Sequence, residues 1–181
     1  MKEESQYYGL LLFGSLAFTV GMLFFTNIGK KIIEQLIMGI SANGLNLIKN
    51  FEGLWLTAYR CPAGVLTIGY GHTGSDVKEG MTITQARAEE LLKNDIRNFE
   101  IGVSAATAYV PLTQNMYDAL VSFAYNVGLG AFRSSTLLKK ILVNPKDPTI
   151  ANEFAKWNKA NGVVLAGLVT RRATEAQLYF A

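Results

Sequence analysis

The stretch FEGLWLTAYRCPAGVLTIGYGHTG, residues 51–74, is the most informative part of the sequence for predicting the fold class. It joins a helical pattern to a pattern of short strands. Upstream of it, a helix that begins after Ser41 is expected to end near Gly53, because serine caps helix starts and glycine ends helices. Within it, β-branched and aromatic residues flank Cys61-Pro62-Ala63-Gly64, which has the composition of a turn. We therefore expect a helix followed by a β-hairpin over Thr57–Gly74.

The remainder of the chain has the periodicity of helices. Thr82 and Gln85 have the spacing of a capping box at the start of a long helix over residues 84–103. Further helical patterns follow at 114–127, 135–142, 149–158 and 170–179. We expect an α+β fold, with a small α+β lobe that contains the hairpin, a connecting helix and an α-helical lobe, preceded by an N-terminal hydrophobic helix. The expected boundaries are 1–29 for the hydrophobic segment, 30–40 for a linker, and 41–181 for the folded domain, divided into 41–83, 84–103 and 104–181.

Composition and charge narrow the possible functions. The chain has 181 residues, of which 50% are hydrophobic and 17% charged, as in a globular protein. Its net charge of +3 is too small for the dense basic clusters expected of a nucleic-acid-binding protein. Cys61 is the single cysteine, so no disulfide forms within one chain, and both oxidising and reducing compartments remain open.

The N-terminal segment has the length of a membrane span. Tyr7–Ile28 contains 22 residues and no charged side chain, close to the ~20 that cross a bilayer as a helix. A cleaved signal peptide is disfavoured, because the first residues MKEE are not basic and no A-x-A site follows. A buried core helix is disfavoured because the segment has no polar face. We favour an uncleaved signal-anchor, although Lys30 and Lys31 after the span would hold its C-terminal side in the cytoplasm.

Three residues around the hairpin have the chemistry of a glycosidase. Cleavage of a glycosidic bond needs an acid that protonates the leaving oxygen and a second group that directs water or attacks the sugar. Glu52 lies at the expected helix end among apolar neighbours, which favour the protonated form of a general acid. Cys61 and Thr67 follow on the hairpin. Taken singly, each has an ordinary explanation as a surface carboxylate, a small buried side chain or a strand residue.

Taken together, these residues resemble a known family. Glu52-x8-Cys61-x5-Thr67, followed directly by Ile68-Gly69-Tyr70-Gly71-His72-Thr73, resembles the active-site hairpin of the phage-type lysozymes, glycoside hydrolase family 24. The similarity continues through residues 119–128, 132–138 and 167–172, and so covers about residues 41–181. The resemblance implies a lysozyme-like fold and a muramidase that hydrolyses the β-1,4 bond between N-acetylmuramic acid and N-acetylglucosamine in peptidoglycan, for host cell lysis.

The resemblance also implies roles for individual residues. Glu52 is expected to be the general acid, and Thr67 to position the attacking water. Cys61 stands where the family usually has aspartate, so it acts either as a base in an inverting reaction, which we favour, or as a nucleophile in a retaining one. One arginine of the C-terminal pair is expected to face Glu52, and the single histidine to have a structural role beside the cleft. The expected substrate-binding residues are His72, Thr73, Ser122, Tyr125, Asn126, Arg171 and Arg172, with no metal and no cofactor.

Residues 1–29 resemble the signal-arrest-release segments of some endolysins. That resemblance implies export by the host translocon and an inactive enzyme tethered in the host inner membrane through residues 7–28. Release would then deliver a monomer to the periplasm. No cysteine lies in Met1–Ser41, so caging of Cys61 by a disulfide within one chain is excluded, and control by release itself is expected.

Two other functions remain open from the sequence. A lytic transglycosylase needs only the glutamate and leaves an anhydro-sugar product. A non-catalytic, membrane-anchored protein that binds the cell wall could use the same fold. The spacing of Cys61 and Thr67 disfavours the first, and the presence of Glu52 disfavours the second.

Overall fold

A computed structural model describes residues 38–61 and 64–181, together with residue 33 alone. The expected hydrophobic helix at 7–28, and with it the whole segment 1–29, lies outside the described residues, as does most of the expected linker. Within the described ranges, no helix has both the length and the apolar character needed to cross a membrane. The described residues form a mixed fold with a small β-hairpin and a helical lobe.

The first helix, α1 (Ala42–Glu52), begins and ends where the local sequence predicts. The Ser41 side chain accepts hydrogen bonds from the backbone N–H groups of Asn43 and Gly44, which caps the helix. Gly53 ends it with a φ of 72°, a conformation that favours glycine. Ser41 also donates its backbone N–H to Asp118, at 2.9 Å, so the start of α1 is fixed to the helical lobe.

The predicted hairpin forms from β1 (Trp55–Arg60) and β2 (Leu66–Gly69), which pair antiparallel. Tyr59 lies opposite Thr67, and Cys61 extends the ladder by donating its N–H to the Val65 carbonyl at 3.0 Å. Directly paired residues share a face of the hairpin, and alternate residues of a strand do so too. Cys61 and Thr67 therefore lie on one face.

The opposite face of the hairpin packs on a small hydrophobic cluster. Ile68 is fully buried there against Val77 and Leu91, with Ala58 and Leu66 packed around them. The alternation in β2 fixes the register, because a slip by one residue would move Ile68 out of this cluster.

The connecting helix, α2 (Gln85–Ala106), is longer than predicted and begins with a different cap. Thr84, not Thr82, is the N-cap and accepts a hydrogen bond from the Arg87 N–H. Thr82 instead forms a β-bridge with Thr57 and belongs to the edge of the hairpin. The expected capping box is therefore wrong. Because α2 contributes Leu91 to the small cluster and residues such as Leu92, Ile96 and Val103 to the large core, it connects the two lobes.

The helical lobe is built around α3 (Gln114–Val127), which has the predicted bounds and ends at Gly128. This helix packs against α1, α2 and the C-terminal helix. Its Phe123 is fully buried and contacts the rings of Phe132, Phe154 and Trp157. The other elements are α4 (Leu129–Ser134), α5 (Thr136–Val143), α6 (Ile150–Ala155), β3 (Lys159–Ala160), β4 (Val163–Val164) and α7 (Ala166–Tyr179).

The C-terminal part contains a second hairpin that was not predicted. We expected only helices there, but β3 and β4 form a second hairpin, whose turn places Asn161 and Gly162 at positive φ values of 50° and 80°. Before α1, the end of the expected linker also differs from the prediction, because it belongs to the folded domain. Met38 and Ile40 pack against the large core, and the Ile40 N–H donates to Glu100 at 2.7 Å.

Candidate active site

A polar cavity of about 520 Å³ opens beside the end of α1. Glu52 projects into it with 22% of its side chain exposed. Gly71 lies beside this carboxylate and has a φ of 91°, a conformation that favours glycine. The residues that line the cavity are Glu52, Gly71 and Thr73 from the small lobe, Asn94, Asp95, Asn98 and Phe99 from α2, and Tyr125 and Asn126 from α3.

Glu52 is held by an arginine from the C-terminal helix. Arg171 donates from Nη1 to Glu52 Oε1 at 2.7 Å, and its guanidinium lies over the Phe51 ring at 5.4 Å. The side chain of Arg171 is only 4% exposed. Of the two candidate arginines, Arg171 is therefore the one that contacts Glu52. The surroundings of Glu52 also differ from the expected apolar neighbourhood, because they include this buried positive charge.

Behind Arg171 lies a buried charge cluster. Glu175 is fully buried, and its Oε1 accepts hydrogen bonds from Ser122 Oγ at 2.8 Å and from Arg171 Nε at 3.2 Å. Arg172 forms an ion pair with the other Glu175 oxygen at 3.1 Å. Burial raises the pKa of Glu175 even though both arginines and the serine act to lower it. Burial also lowers the pKa of Arg172 to about 10.

This cluster corrects two expected substrate contacts. Ser122 has 0% exposure and Arg172 has 1%, so neither side chain can reach a sugar in the cavity. Both were expected to bind substrate, and both instead join α3 to α7, Ser122 through Glu175 and Arg172 through Asn126. Ser122 and Arg172 belong to the sequence blocks 119–128 and 167–172, and their role in the structure is to pack the helical lobe.

His72 joins the hairpin region to α2. Its Nδ1 lies 2.9 and 3.0 Å from the two carboxylate oxygens of Asp95, and its Nε2 lies 3.2 Å from Asp76. Burial lowers the pKa of His72, but the hydrogen bonds and charges of Asp95 and then of Asp76 outweigh it, so the pKa is raised above 6.5. The neighbouring Thr73 is exposed and lines the cavity. His72 thus orders the cavity wall without itself lining it.

Tyr125 and Asn126 form the wall contributed by α3. The Tyr125 hydroxyl donates to the Tyr70 carbonyl at 3.3 Å, and its ring packs edge-on against Phe99 at 5.1 Å. Burial, above all, raises the pKa of Tyr125, so its hydroxyl keeps its proton at neutral pH. Asn126 is exposed and accepts a hydrogen bond from Arg172 at 2.7 Å.

Cys61 and Thr67 lie on the same face of the hairpin but outside the lining of this cavity. Cys61 is half-buried at the end of β1. Thr67 is 4% exposed, and its hydroxyl donates to the Val65 carbonyl at 3.1 Å. Their catalytic roles therefore stay predictions. Among the residues that the structure describes, no group of three or more histidine, cysteine or acidic side chains is arranged to hold a metal ion.

The wall contributed by α2 was not predicted from the sequence. Asn94 and Asn98 are four residues apart and therefore lie on one side of the helix. That side differs from the one with Leu92 and Ile96, which are buried. The two asparagines on the polar side of a connecting helix could have indicated a polar cavity. Because the same pattern is common on solvent-exposed helices, it does not by itself identify one.

Comparisons with known proteins bear on this site. The family described as phage lysozyme matches residues 49–175. The endolysin of Bacillus phage PZA is 53% identical over 144 residues, covering 78% of this chain and 55% of that protein, so the chain spans about half the length of this relative. The SAR-endolysin of Bacteriophage PS119 is 40% identical over 145 residues, covering 80% and 82% of the two chains. The solved muramidase domain of SpmX from Asticaccaulis excentricus is 41% identical, with a TM-score of 0.71 over 79% of this chain and 98% of that one.

Proposed function

The chain belongs to the phage lysozyme family and carries the glycoside hydrolase domain of that family, and on this premise we propose that it is an endolysin that lyses host cells. Its proposed reaction is hydrolysis of the β-1,4 bond between N-acetylmuramic acid and N-acetylglucosamine in peptidoglycan. Residues 41–181 form the proposed catalytic domain. The muramidase domain that is 41% identical to this chain supports this choice of substrate.

The observation that carries the proposal is the position of Glu52. Its carboxyl group projects from a helix end into a polar cavity, which Asp95 also lines, and is fixed from behind by a buried arginine. In the proposed reaction, Glu52 gives its proton to the glycosidic oxygen as the bond to the anomeric carbon breaks. The guanidinium of Arg171 then stabilises the carboxylate that remains.

Water activation is proposed for the hairpin residues. The Cys61 thiolate takes a proton from a water molecule, the water oxygen bonds to the anomeric carbon, and the Thr67 hydroxyl orients that water. This route inverts the anomeric configuration. It is supported by the shared face of Cys61 and Thr67 in the hairpin. Proton NMR of freshly cleaved oligosaccharide measures the anomeric configuration, and a retained one would assign Cys61 as nucleophile instead.

The walls of the cavity suit a sugar chain. N-acetylated sugars present hydroxyl and amide groups around a ring with apolar C–H faces. The side-chain amides of Asn94 and Asn98 can donate to and accept from such groups, and the Phe99 and Tyr125 rings provide apolar surface. The proposed substrate contacts are these residues with Thr73 and Asn126. We propose no cofactor.

We further propose that residues 7–28 tether the enzyme in the host inner membrane after export by the translocon, and that release delivers an active monomer to the periplasm. The uncharged sequence of this segment and the SAR-endolysin relative support the proposal. Because no cysteine precedes Cys61, control is assigned to release and not to a disulfide within the chain.

Zymography on purified cell wall tests the function directly. The full chain is compared with a shortened chain that begins at Lys30, which keeps the core contacts of Met38 and Ile40. Both are expected to clear the wall in detergent, and the Glu52→Gln variant of each is expected to clear none. Mass spectrometry of the digest should show reducing ends. An anhydro-sugar would identify a lytic transglycosylase, and wall binding without cleavage a non-catalytic binding protein.

A further inference from the structure

An aromatic pair lies on the β1–β2 hairpin, with Trp55 exposed and Tyr59 half-buried. The rings of Trp55 and Tyr59 have their centroids 4.8 Å apart, tilted by 38°. Trp55 is 53% exposed, which is unusual for the largest apolar side chain, and it belongs to neither hydrophobic cluster of the described residues. A large apolar side chain that is left exposed beside a second aromatic ring indicates a binding surface.

The pair continues from the proposed catalytic groups. Tyr59 lies directly opposite Thr67 in the ladder and therefore shares its face of the hairpin. At the other end, the indole Nε1 of Trp55 lies 4.0 Å from the position that a Cβ on Gly53 would occupy, and Gly53 follows Glu52 directly. The aromatic pair thus begins near the backbone of Gly53, the residue after Glu52, and runs along the face that bears Thr67, outside the lining of the cavity.

We propose that Trp55 and Tyr59 form a saccharide-binding platform for N-acetylhexosamine units of a glycan strand that extends beyond the cavity. The pyranose ring of these sugars has an apolar C–H face, which packs on an aromatic ring, and a polar rim. The indole N–H and the tyrosine hydroxyl supply hydrogen-bonding groups at the edges of the platform. The choice of ligand rests on the proposed function. Trp55 lies near Gly53, next to Glu52 in sequence, and Tyr59 shares a face with Thr67. This arrangement along the proposed catalytic groups favours a glycan, because binding to a lipid surface would not require it.

Tryptophan fluorescence can report binding at Trp55 separately from the rest of the protein. All proteins carry Glu52→Gln, so that the oligosaccharide is not cleaved, and the probe is chitohexaose. The second tryptophan, Trp157, is packed against Phe123 in the large core and is present in every protein. The difference between the emission of Glu52→Gln and that of Glu52→Gln/Trp55→Phe therefore reports Trp55 alone. We expect this difference to change with chitohexaose and to saturate.

Affinity provides the second measurement. Trp55→Ala is expected to weaken binding to chitohexaose and to purified wall about tenfold, and Trp55→Phe to weaken it less, because the phenyl ring keeps part of the apolar face. Tyr109→Ala is the matched control, since Tyr109 is 86% exposed and lies between α2 and α3, away from the hairpin. Its binding should equal that of the parent.

Two results would overturn the platform. One is unchanged glycan affinity in Trp55→Ala. The other is an emission change on adding phosphatidylglycerol vesicles with none on adding chitohexaose, which would identify a membrane contact. Wall cleavage by the parent enzyme is measured separately. If the parent enzyme cleaves wall and the platform test fails, only the platform is wrong; if it does not cleave wall, the muramidase proposal fails while the binding measurement still reports on Trp55.

Discussion

Arg171 donates from Nη1 to Glu52 Oε1 at 2.7 Å, a contact between residues 119 positions apart that joins α7 to the end of α1. Arg171 is itself fixed on two sides, by Glu175 at 3.2 Å and by the Ser122 carbonyl at 3.3 Å. The guanidinium is planar and has several donors in fixed directions, so these partners determine where the Glu52 carboxyl group points. The geometry of the proposed general acid is therefore set by the helical lobe.

Replacement of Arg171 should lower activity by more than a loss of folded protein would explain. We expect Arg171→Met to reduce kcat on purified wall about a hundredfold, since a small displacement of a catalytic group costs about that much. Arg171→Lys should also lose activity, because lysine keeps the charge but cannot reproduce three directed contacts. The matched controls are Arg133→Met and Arg133→Lys, at an exposed arginine on α4. Activity of Arg171→Met within twofold of the parent would remove Arg171 from the proposed mechanism.

Loss of the buried acid behind Arg171 should destabilise the fold. Glu175→Gln leaves two buried guanidinium groups with less negative charge to balance them, and breaking a buried ion pair costs about 3–5 kcal/mol. Urea unfolding measures this cost. Glu79→Gln is the matched control, because Glu79 pairs with Arg60 at 2.6 Å but both side chains are more than half exposed, and surface pairs contribute about 0–1 kcal/mol.

A small effect of Glu175→Gln would have a specific meaning. Burial raises the pKa of Glu175, and an amide is a close substitute for a protonated carboxyl group. A cost below about 1 kcal/mol, within the range of a surface pair, would therefore show that Glu175 carries a proton in the folded protein.

Local features of the fold could be predicted from the sequence because their causes are local. The Ser41 cap, the end of α1 at Gly53 and the β1–β2 hairpin depend on residues within a few positions of each other. The same is true of α3, which runs between the caps at Thr113 and Gly128. The cap of α2 is Thr84 and not the expected Thr82. Thr82 pairs with Thr57 of β1, and the local sequence pattern does not contain this contact.

The missed parts of the site depend on long-range contacts. Ser122 and Arg172 have the polar character of ligand-binding residues, but both are buried, and each bonds across α3 and α7 to a partner 53 or 46 positions away. β2 packs against α2, so the wall on that helix stands beside lining residues of the small lobe. Sequence patterns pointed to Glu52, Thr73, Tyr125 and Asn126, which line the cavity, but not to the residues of α2, whose place depends on tertiary packing.

The His72 interactions should give stability that depends on pH. The folded pKa of His72 is raised, so its contribution is fully present below the ordinary pKa of 6.5 and declines as pH rises through the folded value. We expect His72→Gln to cost about 1–3 kcal/mol at pH 5.5, the range for hydrogen bonds to charged groups, and less at pH 8.5. Urea unfolding at the two pH values measures both costs.

Replacing each carboxylate partner of His72 singly measures how much of the pH dependence that partner causes. Asp95→Asn should remove more of the pH dependence than Asp76→Asn, because Asp95 is less exposed, at 28% against 56%, and its oxygens lie closer to the ring, at 2.9 and 3.0 Å against 3.2 and 3.3 Å. An equal cost of His72→Gln at pH 5.5 and pH 8.5 would show that the imidazole is not charged in the interaction.

Release from the membrane should depend on the small residues of the N-terminal segment. Gly14 and Gly21 are seven positions apart and dilute its apolar character. Replacing both with leucine makes insertion more favourable, so the protein should stay in the membrane fraction and lysis should be delayed. The matched control replaces both with alanine, which stays small. Lysis on the normal schedule by the leucine variant would show that release is not the controlling step.

Substitutions at Cys61 test the proposed activation of water. A thiol with an ordinary pKa of about 8.5 is only a few per cent ionised at pH 7, whereas a carboxyl group is fully ionised there. We therefore expect Cys61→Asp to keep most of the activity on purified wall and Cys61→Ser to lose most of it, because a hydroxyl is too weak a base. Glu52→Gln should abolish activity in either background. A Cys61→Ser enzyme as active as the parent would leave Thr67 and the cavity to direct water without the sulfur, and would remove Cys61 from the mechanism.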